Sequence, residues 1–515
     1  MKKMLLTVML LLTTMASWAI QEMDTHPKVH NIGGVWYQRI GNEAWVSSRW
    51  HYGYEYDPGK FLVLQDWNSY SGDVKIAESI VWSETDDIDT PEVEGTGDTL
   101  PVVGILAEAF FLSEELTSVT ISSSVKTIRD RAFSACHKLT EITFPATVDS
   151  IGADVLGECN ALKKVTIADG PNKLKWNNLC NNWVYMEALE ELYVGRPYET
   201  PENGNAFRAL PIKKITFGDS VEEIFPLDLA YCGNLETVVF GKGLKRIGNE
   251  AFTGASKLTS ADIPEGVTII GDEAFNLTGI TSINLPSTLK LIGSRAFQST
   301  NIEELTIPAS VDSIGYLICE YCNCRKLTVA DGPNLLKWNE IQANGISYEE
   351  IHMGRPYITT NGAFRGFQTL KRITFGDSVE EIFNEDLAFT PLETVHLGKG
   401  MKKIAGNAFD WCGDIKAFYV GATVPPVVDG EGIGFQLYET CTLYVPENSI
   451  EAYKAAPVWK NFFNINVDPT SIEILKANVP ADEKIFTLDG CNVTNDRNSL
   501  GKGIYIVNGK KVIVK

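Results

Sequence analysis

The stretch "LTSVTISSSVKTIRDRAFSAC", Leu116 to Cys136, returns as "LTEITFPATVDSIGADVLGEC", Leu139 to Cys159, with nearly every apolar residue displaced by 23 positions. The shared pattern is Leu-x-x-Ile-x-Ile, a turn with Pro or Ser, Val-x-x-Ile-Gly, and then Ala-Phe with a small residue. The alternation in Ile-x-Ile predicts a short strand with one buried face. A unit of this size cannot bury its own apolar residues, so neighbouring units must stack.

The first element of this unit recurs fourteen times at intervals of 22 to 27 residues, which is the period of leucine-rich repeats. We expect the strands of successive units to pair in parallel about 4.8 Å apart. We expect the Gly of Val-x-x-Ile-Gly to allow a tight reversal, and the Ala-Phe pairs to stack as an aromatic spine. The predicted fold is an α/β-type solenoid dominated by β-structure over residues 111–440. The units start at Leu116, Leu139, Leu162, Leu189, Ile212, Leu235, Leu258, Ile280, Ile302, Cys324, Tyr348, Leu370, Leu392 and Ile415.

A longer period lies over the short one, because whole segments recur further along the chain. The offset between the copies falls from 162 to 158 residues, which is about seven units of 23. We therefore interpret the solenoid as containing a duplicated block of seven repeats. The repeated segments are "ADGPN" at Ala168 and Ala330, "GRPY" at Gly195 and Gly354, and "ITFGDSVEEIF" at Ile215 and Ile373.

The two ends of the repeat region differ from its middle, because the core of a terminal unit has to be covered. Residues 20–110 are predicted to form an N-terminal β-rich capping region. Residues 441–468 are predicted to form a C-terminal cap, with a last apolar strand and a helix that carries Tyr453, Trp459 and Phe462. Residues 469–515 alternate around Gly turns and predict a separate small all-β, sandwich-like module.

The first 19 residues have the layout of a secretory signal peptide. Lys2 and Lys3 precede an apolar run from Met4 to Leu12, and small residues lead to Ala19. That run is too short to span a bilayer, and no later stretch offers the roughly 20 apolar residues that a spanning helix needs. We therefore predict a soluble, exported chain without a transmembrane segment.

The formal net charge of −21 argues against a nucleic-acid partner, because phosphate binding needs a basic surface. A concentration of acidic residues from Glu84 to Asp98 interrupts the N-terminal strands. We interpret this segment as a solvated loop. Calcium binding is the alternative, although the spacing of the acidic residues matches no known calcium loop.

The ten cysteines are interpreted as core residues more readily than as disulfides, because free Cys packs like a small hydrophobe. Cys319 and Cys324 lie close to Cys322 in sequence and suggest zinc, but alignment places Cys319 in the aromatic slot and Cys324 in the leucine slot. We therefore expect packing and no metal or other cofactor. One slot of the repeat holds Cys136, Cys159, Cys232, Cys322 and Cys412.

The sequence contains no recognisable catalytic constellation, so we predict that the protein is not an enzyme. A hydrolase would need two carboxylates aimed into one cleft or a nucleophile beside a base. No histidine lies near a Ser or Cys in a nucleophile motif, and no Gly-rich phosphate loop is present. The histidines are His26, His30, His51, His137, His352 and His396.

With lines such as "LKRIGNEAF", "VTIIGDEAF" and "LKLIGSRAF", residues 33–466 resemble the BspA-like leucine-rich-repeat family of bacterial surface proteins. The resemblance implies a curved, right-handed solenoid and, as in some members, adhesion to host matrix proteins or to other bacteria. It transfers no individual site residue to this chain.

The last 46 residues are similar to the C-terminal sorting domains of type IX secretion substrates. The similarity rests on Leu488, Asp489 and Gly490 and on the ending from "GKGIYIV" to "KVIVK". It implies attachment at, or release from, the outer surface of a Gram-negative cell.

The two variable residues of Leu-x-x-Ile-x-Ile should face solvent, and their charge alternates from one unit to the next. Opposite charges on adjacent strands attract, whereas like charges there would repel. We interpret this alternation as control of strand register rather than as a charged ligand face. The pairs are Lys163 and Lys164, Glu190 and Glu191, Lys213 and Lys214, and Glu236 and Thr237, and later Glu303 and Glu304, Arg325 and Lys326, Glu349 and Glu350, Lys371 and Arg372, Glu393 and Thr394, and Lys416 and Ala417.

Between the charged ladders lies a polar, largely uncharged stretch of the expected strand face. This is where we expect a ligand to bind, if the face binds one. The candidate residues are Thr237, Val239, Thr259, Ser260, Asp262, Thr281, Ser282 and Asn284.

These observations favour a non-enzymatic, secreted or surface-exposed binding protein whose partner is an extracellular protein or glycan. A rigid structural spacer without a dedicated ligand is the first alternative, and a glycan-acting enzyme is the second.

Overall fold

The computed structural model describes residues 29–32, 35–47, 70–82, 98–176, 186–199, 206–339, 347–359, 362–430, 432–434 and 436–468, and the strands of residues 485–514. The chain is a β-dominated solenoid of about 15 turns with little helix, so the predicted fold class is confirmed. It divides into two compact units, residues 1–286 and 287–515. The predicted signal peptide and residues 84–97 of the acidic loop lie outside the described residues.

The first unit is built from short strands. They are β1 (Val29–Ile32), β2 (Val35–Ile40), β3 (Glu43–Val46), β4 (Ser71–Lys75), β5 (Ser79–Trp82), β6 (Asp98–Ile105), β7 (Glu115–Thr120), β8 (Thr127–Ile128), β9 (Glu141–Phe144), β10 (Ser150–Ile151), β11 (Lys164–Ile167), β12 (Leu174–Trp176), β13 (Glu191–Val194), β14 (Tyr198–Glu199), β15 (Lys214–Phe217), β16 (Glu223–Ile224), β17 (Thr237–Val239), β18 (Arg246–Ile247), β19 (Ser260–Asp262), β20 (Ile269–Ile270) and β21 (Ser282–Asn284).

Each turn of the first unit contributes one strand to each of two parallel ladders. The Leu-x-x-Ile-x-Ile strands form the sheet β9-β11-β13-β15-β17 and the pair β19-β21. The Val-x-x-Ile segments form a second, narrower ladder that includes β8-β10-β12-β14 and β16-β18-β20. Leu116 lies inside β7, and after each later predicted start of this unit a strand begins two residues further on, as β9 does after Leu139. The second ladder is an additional feature that the repeat pattern did not predict.

The N-terminal region closes the parallel ladder with antiparallel strands. β1, β2 and β3 form an antiparallel meander, β3 pairs in parallel with β6, and β5 pairs antiparallel with β6. Tyr70 packs on Phe110 with ring centroids 4.3 Å apart, and Phe110 stacks on Phe133 at 4.8 Å. The aromatic spine of the repeats therefore extends into this region.

The second unit continues the same plan. Its strands are β22 (Leu291–Ile292), β23 (Glu304–Ile307), β24 (Ser313–Ile314), β25 (Lys326–Val329), β26 (Leu336–Trp338), β27 (Glu350–Met353), β28 (Tyr357–Ile358), β29 (Arg372–Phe375), β30 (Glu381–Ile382), β31 (Thr394–Leu397), β32 (Lys403–Ile404), β33 (Ala417–Val420), β34 (Val427–Val428), β35 (Thr442–Val445), β36 (Asn464–Val467), β37 (Ile485–Thr487), β38 (Asn492–Val493), β39 (Gly503–Val507) and β40 (Lys510–Val514). Its helices are α1 (Leu437–Thr440) and α2 (Ile450–Ala455), with 3-10 turns at Glu447–Ser449 and Trp459–Asn461.

Residues 441–468, the predicted C-terminal cap, extend the strand face of the second unit. β35 and β36 complete the parallel sheet that runs from β23 through β33, so the ladder reaches past the fourteenth predicted unit. Tyr453 of α2, Trp459 of the adjoining 3-10 turn and Phe462 after it are all buried. The last strands form one antiparallel sheet in the order β38-β37-β39-β40. A second sheet, which a sandwich would need, is not among the described residues there.

The glycines of Val-x-x-Ile-Gly serve close approach rather than reversal, which corrects our expectation. Gly248 and Gly271 have backbone angles outside the left-handed region, but a Cβ on either would lie 2.6 Å or less from an atom of the preceding turn. The left-handed residues are mostly not glycine. Arg131 and Ala135, at φ 53° and 61°, donate their N–H groups to carbonyls of the next turn. These hydrogen bonds offset the roughly 1–2 kcal/mol cost of that conformation.

The predicted core slots are filled as expected. Phe252 stacks on Phe275 with centroids 5.1 Å apart and planes 2° apart, so the stacked aromatic spine is confirmed here. The five cysteines of the shared slot are buried and free. Each donates its thiol to a carbonyl of the preceding turn, as Cys159 does to Phe133 at 3.1 Å. Cys319, Cys322 and Cys324 are also buried free thiols, which agrees with their interpretation as packing residues.

Buried polar side chains tie several turns together in both copies of the duplicated block. The fully buried Arg196 of "GRPY" donates to the carbonyls of Ala146, at 2.6 Å, and Val148, about two turns earlier. Two residues on, the Tyr198 hydroxyl donates to Asp228 at 2.7 Å. We call this arrangement the Arg-Tyr-Asp clamp.

The second copy of the repeated segment forms the same clamp through the corresponding hydrogen bonds. Arg355 donates to the carbonyls of Ala309, at 2.6 Å, and Val311, and Tyr357 donates to Asp386 at 2.6 Å. The carboxylate also accepts two backbone N–H groups in each copy, for Asp386 those of Ala363 and Phe383 at 2.8 Å. Each clamp therefore satisfies a buried carboxylate with three donors.

Candidate functional site

The predicted polar patch lies on the strand face of the first unit, and all eight of its side chains are exposed. β19 and β21 pair so that Ser260 lies beside Ser282 and Asp262 beside Asn284. The residues between them, Ala261 and Ile283, turn inward and anchor the strands. The patch thus presents hydroxyl, amide and carboxylate groups from a fixed backbone. The exposed residues are Thr237, Val239, Thr259, Ser260, Asp262, Thr281, Ser282 and Asn284.

The backbone ladder is interrupted at this patch. β17 is the last strand of its five-stranded sheet, and β19 begins a separate two-stranded sheet. The strands of the patch are also shorter than their neighbours, with three residues each in β17, β19 and β21. The sequence predicted where the polar surface lies, but it gave no indication of this break in hydrogen bonding.

The alternating charges form ion pairs between adjacent turns within each unit. Lys213 and Glu190 are joined at 2.9 Å in the first unit, and Arg372 and Glu350 at 2.6 Å in the second. The hydrogen bond from Lys213 lowers the pKa of Glu190 and raises the pKa of Lys213. The second ladder carries similar pairs, such as Lys402 with Glu380 at 2.7 Å. These contacts agree with a role in register.

We expect replacement of both Lys213 and Lys214 by Glu to lower the thermal midpoint of the first unit by a few degrees. The strand before them carries Glu190 and Glu191, and Glu236 follows, so repulsion would replace attraction across two strand pairs. The loss should shrink in high salt, which screens exposed charges. Thermal melts at low and high salt measure both effects.

The compensating change of Glu236 to Lys in the same molecule is the control, because the following turn carries the uncharged Thr259 and Ser260 at the corresponding positions. It should restore part of the midpoint if cross-strand pairing matters, since attraction returns on that side without a new repulsion. A general effect of net charge predicts a shift without rescue. Identical midpoints in all three proteins would contradict the pairing role.

The strand face of the second unit carries a second candidate site, which we name the aromatic ladder: His396, Tyr419 and Tyr444. These residues lie at the outward position of β31, β33 and β35, in direct register. The rings of His396 and Tyr419 are 4.3 Å apart with planes 1° apart. Those of Tyr419 and Tyr444 are 4.6 Å apart with planes 10° apart. All three are half-buried and present their outer edges to solvent.

The electrostatics of His396 and Tyr419 favour uncharged rings at neutral pH. Partial burial lowers the pKa of His396, and Arg372 acts in the same direction against the opposing effect of Asp468. Partial burial, with smaller contributions from Tyr444 and Asp468, raises the pKa of Tyr419. A neutral imidazole and two phenols offer apolar edges beside hydrogen-bonding groups, which is the mixture common at recognition surfaces.

The sequence analysis missed the aromatic ladder, although a signal was present. The strand lines "TVHL", "AFYV" and "TLYV" place an aromatic or imidazole ring at the same outward position in three successive turns. His396 was considered only as a catalytic candidate. Comparison of that one position across neighbouring turns would have found the ladder.

His137, His352 and the buried Asp228 each have hydrogen-bond partners within the solenoid. His137 is hydrogen-bonded to the carbonyl of Glu158 at 3.0 Å, and His352 pairs with Asp331 at 3.1 Å on the surface. Burial raises the pKa of Asp228 to about 7, but its hydrogen bonds run to Tyr198 and backbone N–H groups of the clamp. Within the described ranges, no group of three or more His, Cys, Asp or Glu side chains is arranged to hold a metal ion.

A family profile described as "BspA type Leucine rich repeat region" matches residues 103–224, 200–328 and 344–426 in six copies. These matches cover more than half of the chain. The chain belongs to the BspA-type leucine-rich-repeat family. No curated protein matches this BspA-type chain, and none of the helices in the described parts has the length and apolar character needed to cross a membrane.

Several solved structures are similar to this BspA-type chain. A leucine-rich repeat protein from Bacteroides ovatus is 19% identical, with 86% of this chain and 100% of that chain covered and a TM-score of 0.42. A leucine rich cell surface protein from Faecalibacterium prausnitzii is 13% identical, with 86% and 96% covered and a TM-score of 0.19. The pneumococcal vaccine antigen PcpA is 16% identical, with 86% and 99% covered and a TM-score of 0.21. These likenesses identify no ligand.

Proposed function

We propose that this protein is a non-enzymatic, secreted or surface-exposed binding protein that uses its strand face to bind an extracellular protein or glycan. The observation that carries the proposal is the aromatic ladder of His396, Tyr419 and Tyr444. Three stacked rings form a rigid surface, so little side-chain entropy is lost when a ligand binds. Tyr is also enriched among residues that dominate binding energy.

The polar patch of the first unit supports the same proposal as a second contact region. Its hydroxyl and amide groups can donate and accept hydrogen bonds, and Asp262 is its one charged residue. A polar surface of this kind suits a glycan or a polar protein surface better than an apolar ligand. Ser260 and Ser282, which lie side by side, are the central residues to test.

The location of the protein is part of the proposal. BspA-type proteins are typically at the surface or secreted, and the layout of the first 19 residues predicts export. The similarity of the last 46 residues to type IX sorting domains supports attachment at, or release from, the outer surface of a Gram-negative cell. A rigid spacer without a ligand is the competing function.

We expect the purified full chain to bind at least one member of an array of host glycans and matrix proteins. Replacement of both Tyr419 and Tyr444 by Ala should weaken that binding by about tenfold or more, which is the loss expected from one interface hot spot. Replacement of Ser260 and Ser282 by Lys tests the polar patch separately. Titration of the bound ligand against each variant measures the effects.

Tyr321→Ala is the matched control, because Tyr321 is 61% exposed and lies at a turn rather than on the strand face. It should bind the array ligand as the unaltered chain does. Denaturation midpoints show whether the double tyrosine variant is folded. A blank array at micromolar protein would favour the spacer, and full binding by both strand-face variants would contradict this choice of surface.

A further inference from the structure

A second aromatic surface lies away from the strands, at the turns that follow the Ala-Phe slot in the second unit. Trp411 is 79% exposed and Phe389 is 45% exposed. Their ring centroids are 6.0 Å apart and their planes differ by 11°. Both residues occupy the same slot, directly before the cysteine slot, in successive turns. We call this pair the aromatic platform.

The fold does not require large rings in this slot. Phe389 and Trp411 adopt left-handed backbone angles, φ 62° and 63°, which bulky residues rarely adopt. The same slot holds Gly254 and Gly366 in other turns, where glycine fits at no steric cost. The left-handed angle recurs in this slot, as at Tyr231 and Tyr321, so it belongs to the repeat. The particular feature of Phe389 and Trp411 is that two exposed rings from successive turns stack on each other. Exposed apolar surface of this kind is typical of contact sites.

A cation already covers one end of the stack. The Arg365 guanidinium lies 5.4 Å from the centroid of Phe389, and Glu385 holds the same arginine through an ion pair at 2.7 Å. Phe389 thus has Arg365 and Trp411 as ring neighbours. Trp411 cannot be covered on both faces, because four-fifths of it is exposed. The free indole surface is therefore the accessible end of an arginine-aromatic stack.

The surroundings of Trp411 are acidic. Asp410 and Asp414 are both exposed, and both act on the thiol of the intervening Cys412 by raising its pKa, which burial also raises. The nearest lysine along the chain, Lys416, is joined to Glu393 at 3.2 Å. Within the described residues, neither aspartate forms an ion pair. An exposed indole with two exposed carboxylates within three residues of it in sequence is complementary to a cation, since Trp is the best ring for cation–π contact.

We propose that Trp411, Asp410 and Asp414 form a binding site for a Lys or Arg side chain of a basic segment of a partner protein. The indole would contact that side chain in the same way as the Phe389 ring contacts the Arg365 guanidinium. The carboxylates would pair with the charge, as Glu385 does with Arg365. The site shares no residue with the strand face, so it can be tested independently of the proposed function.

The experiment titrates the full chain into a fluorescently labelled, acetylated tetra-arginine peptide at low and high salt. We expect Trp411→Ala to weaken binding by about tenfold, the loss typical of an interface hot spot. The double variant Asp410→Asn, Asp414→Asn should bind more weakly and with a smaller dependence on salt. Tyr321→Ala, which removes an exposed ring from the same slot, should bind as the unaltered chain does.

The control separates this site from general attraction between a basic peptide and a protein of net charge −21. Equal loss in Trp411→Ala and Tyr321→Ala, or no loss in Trp411→Ala, would overturn the proposal. So would equal binding of a tetra-glutamate peptide. If Trp411→Ala instead abolishes binding of a neutral oligosaccharide and leaves the arginine peptide unaffected, the platform is a sugar site and the basic partner is wrong.

Discussion

Replacement of Asp228 by Ala is expected to lower the free energy of unfolding of the first unit by about 3–5 kcal/mol. The fully buried carboxylate accepts hydrogen bonds from Tyr198 at 2.7 Å, Phe225 N–H at 3.0 Å and Ala206 N–H at 3.1 Å. Alanine leaves all three donors buried without an acceptor, at roughly 1–3 kcal/mol each. Partial relaxation and the relief of a buried charge keep the total below the sum. Urea denaturation measures the loss.

The pH dependence of this loss tests its mechanism. Burial raises the pKa of Asp228 to about 7 in the folded chain, whereas an unfolded Asp has a pKa of about 3.9. The folded state therefore holds the proton more tightly, and this stabilisation is complete below the unfolded value and lost as the pH rises towards 7. The difference between the unaltered chain and Asp228→Ala should be larger at pH 5 than at pH 8.

Glu187→Ala, at an exposed carboxylate of the same unit, is the matched control and should change the midpoint little. Asp386→Ala tests the second copy of the clamp, where burial also raises the pKa of the carboxyl. If Asp228→Ala and the unaltered chain have the same urea denaturation midpoint, the clamp does not stabilise the first unit. A loss that does not vary with pH would show that Asp228 is ionised throughout.

Replacement of Phe252 by Ala should cost about 3–5 kcal/mol, the range for removal of a buried aromatic ring. Phe252 is fully buried and stacks on Phe275 at 5.1 Å. Each turn contacts mainly its neighbours in a solenoid, so the cavity should destabilise the adjacent turns most. Hydrogen exchange of the turns around Phe252, together with urea denaturation, measures the size and the extent of the loss.

Tyr231→Ala is the comparison within the same unit. Tyr231 is 50% exposed, and the Arg208 guanidinium lies 5.1 Å from its ring. The contact with Arg208 is worth about 0.5–1 kcal/mol at an exposed site, so the loss should be much smaller than that of Phe252→Ala. If the two variants lose equal stability, the spine does not carry the core energy that its burial indicates.

Much of the fold could be predicted because the same apolar pattern recurs in fourteen units. The alternation around residues such as Ile142 and Ile215 predicted strands that the structure places in register. The slot of Cys159 predicted a buried thiol, because its neighbours in the pattern are core residues. The ends of the ladder could be predicted from the loss of the pattern, as with the buried Trp459 of the C-terminal region.

The features that could not be predicted depend on contacts between turns. Gly248 is needed because a Cβ at this position would clash with an atom of the preceding turn. A single repeat does not reveal this contact. The partner of Tyr198 is Asp228, thirty residues later, and no short-range pattern connects them. The stacking of Tyr419 on His396 follows from strand register, so it appears only when outward positions are compared between turns.

The Arg-Tyr-Asp clamps bear on how such a chain changes length during evolution. The first clamp reaches from the carbonyl of Ala146 to Asp228, and the second from that of Ala309 to Asp386. Each is therefore complete within one copy of the duplicated block. Recombination that gains or removes a whole block leaves every buried arginine and aspartate with its partners. Loss of a single unit inside a clamp separates them, so we expect changes of length by whole blocks to be tolerated better than changes by single units.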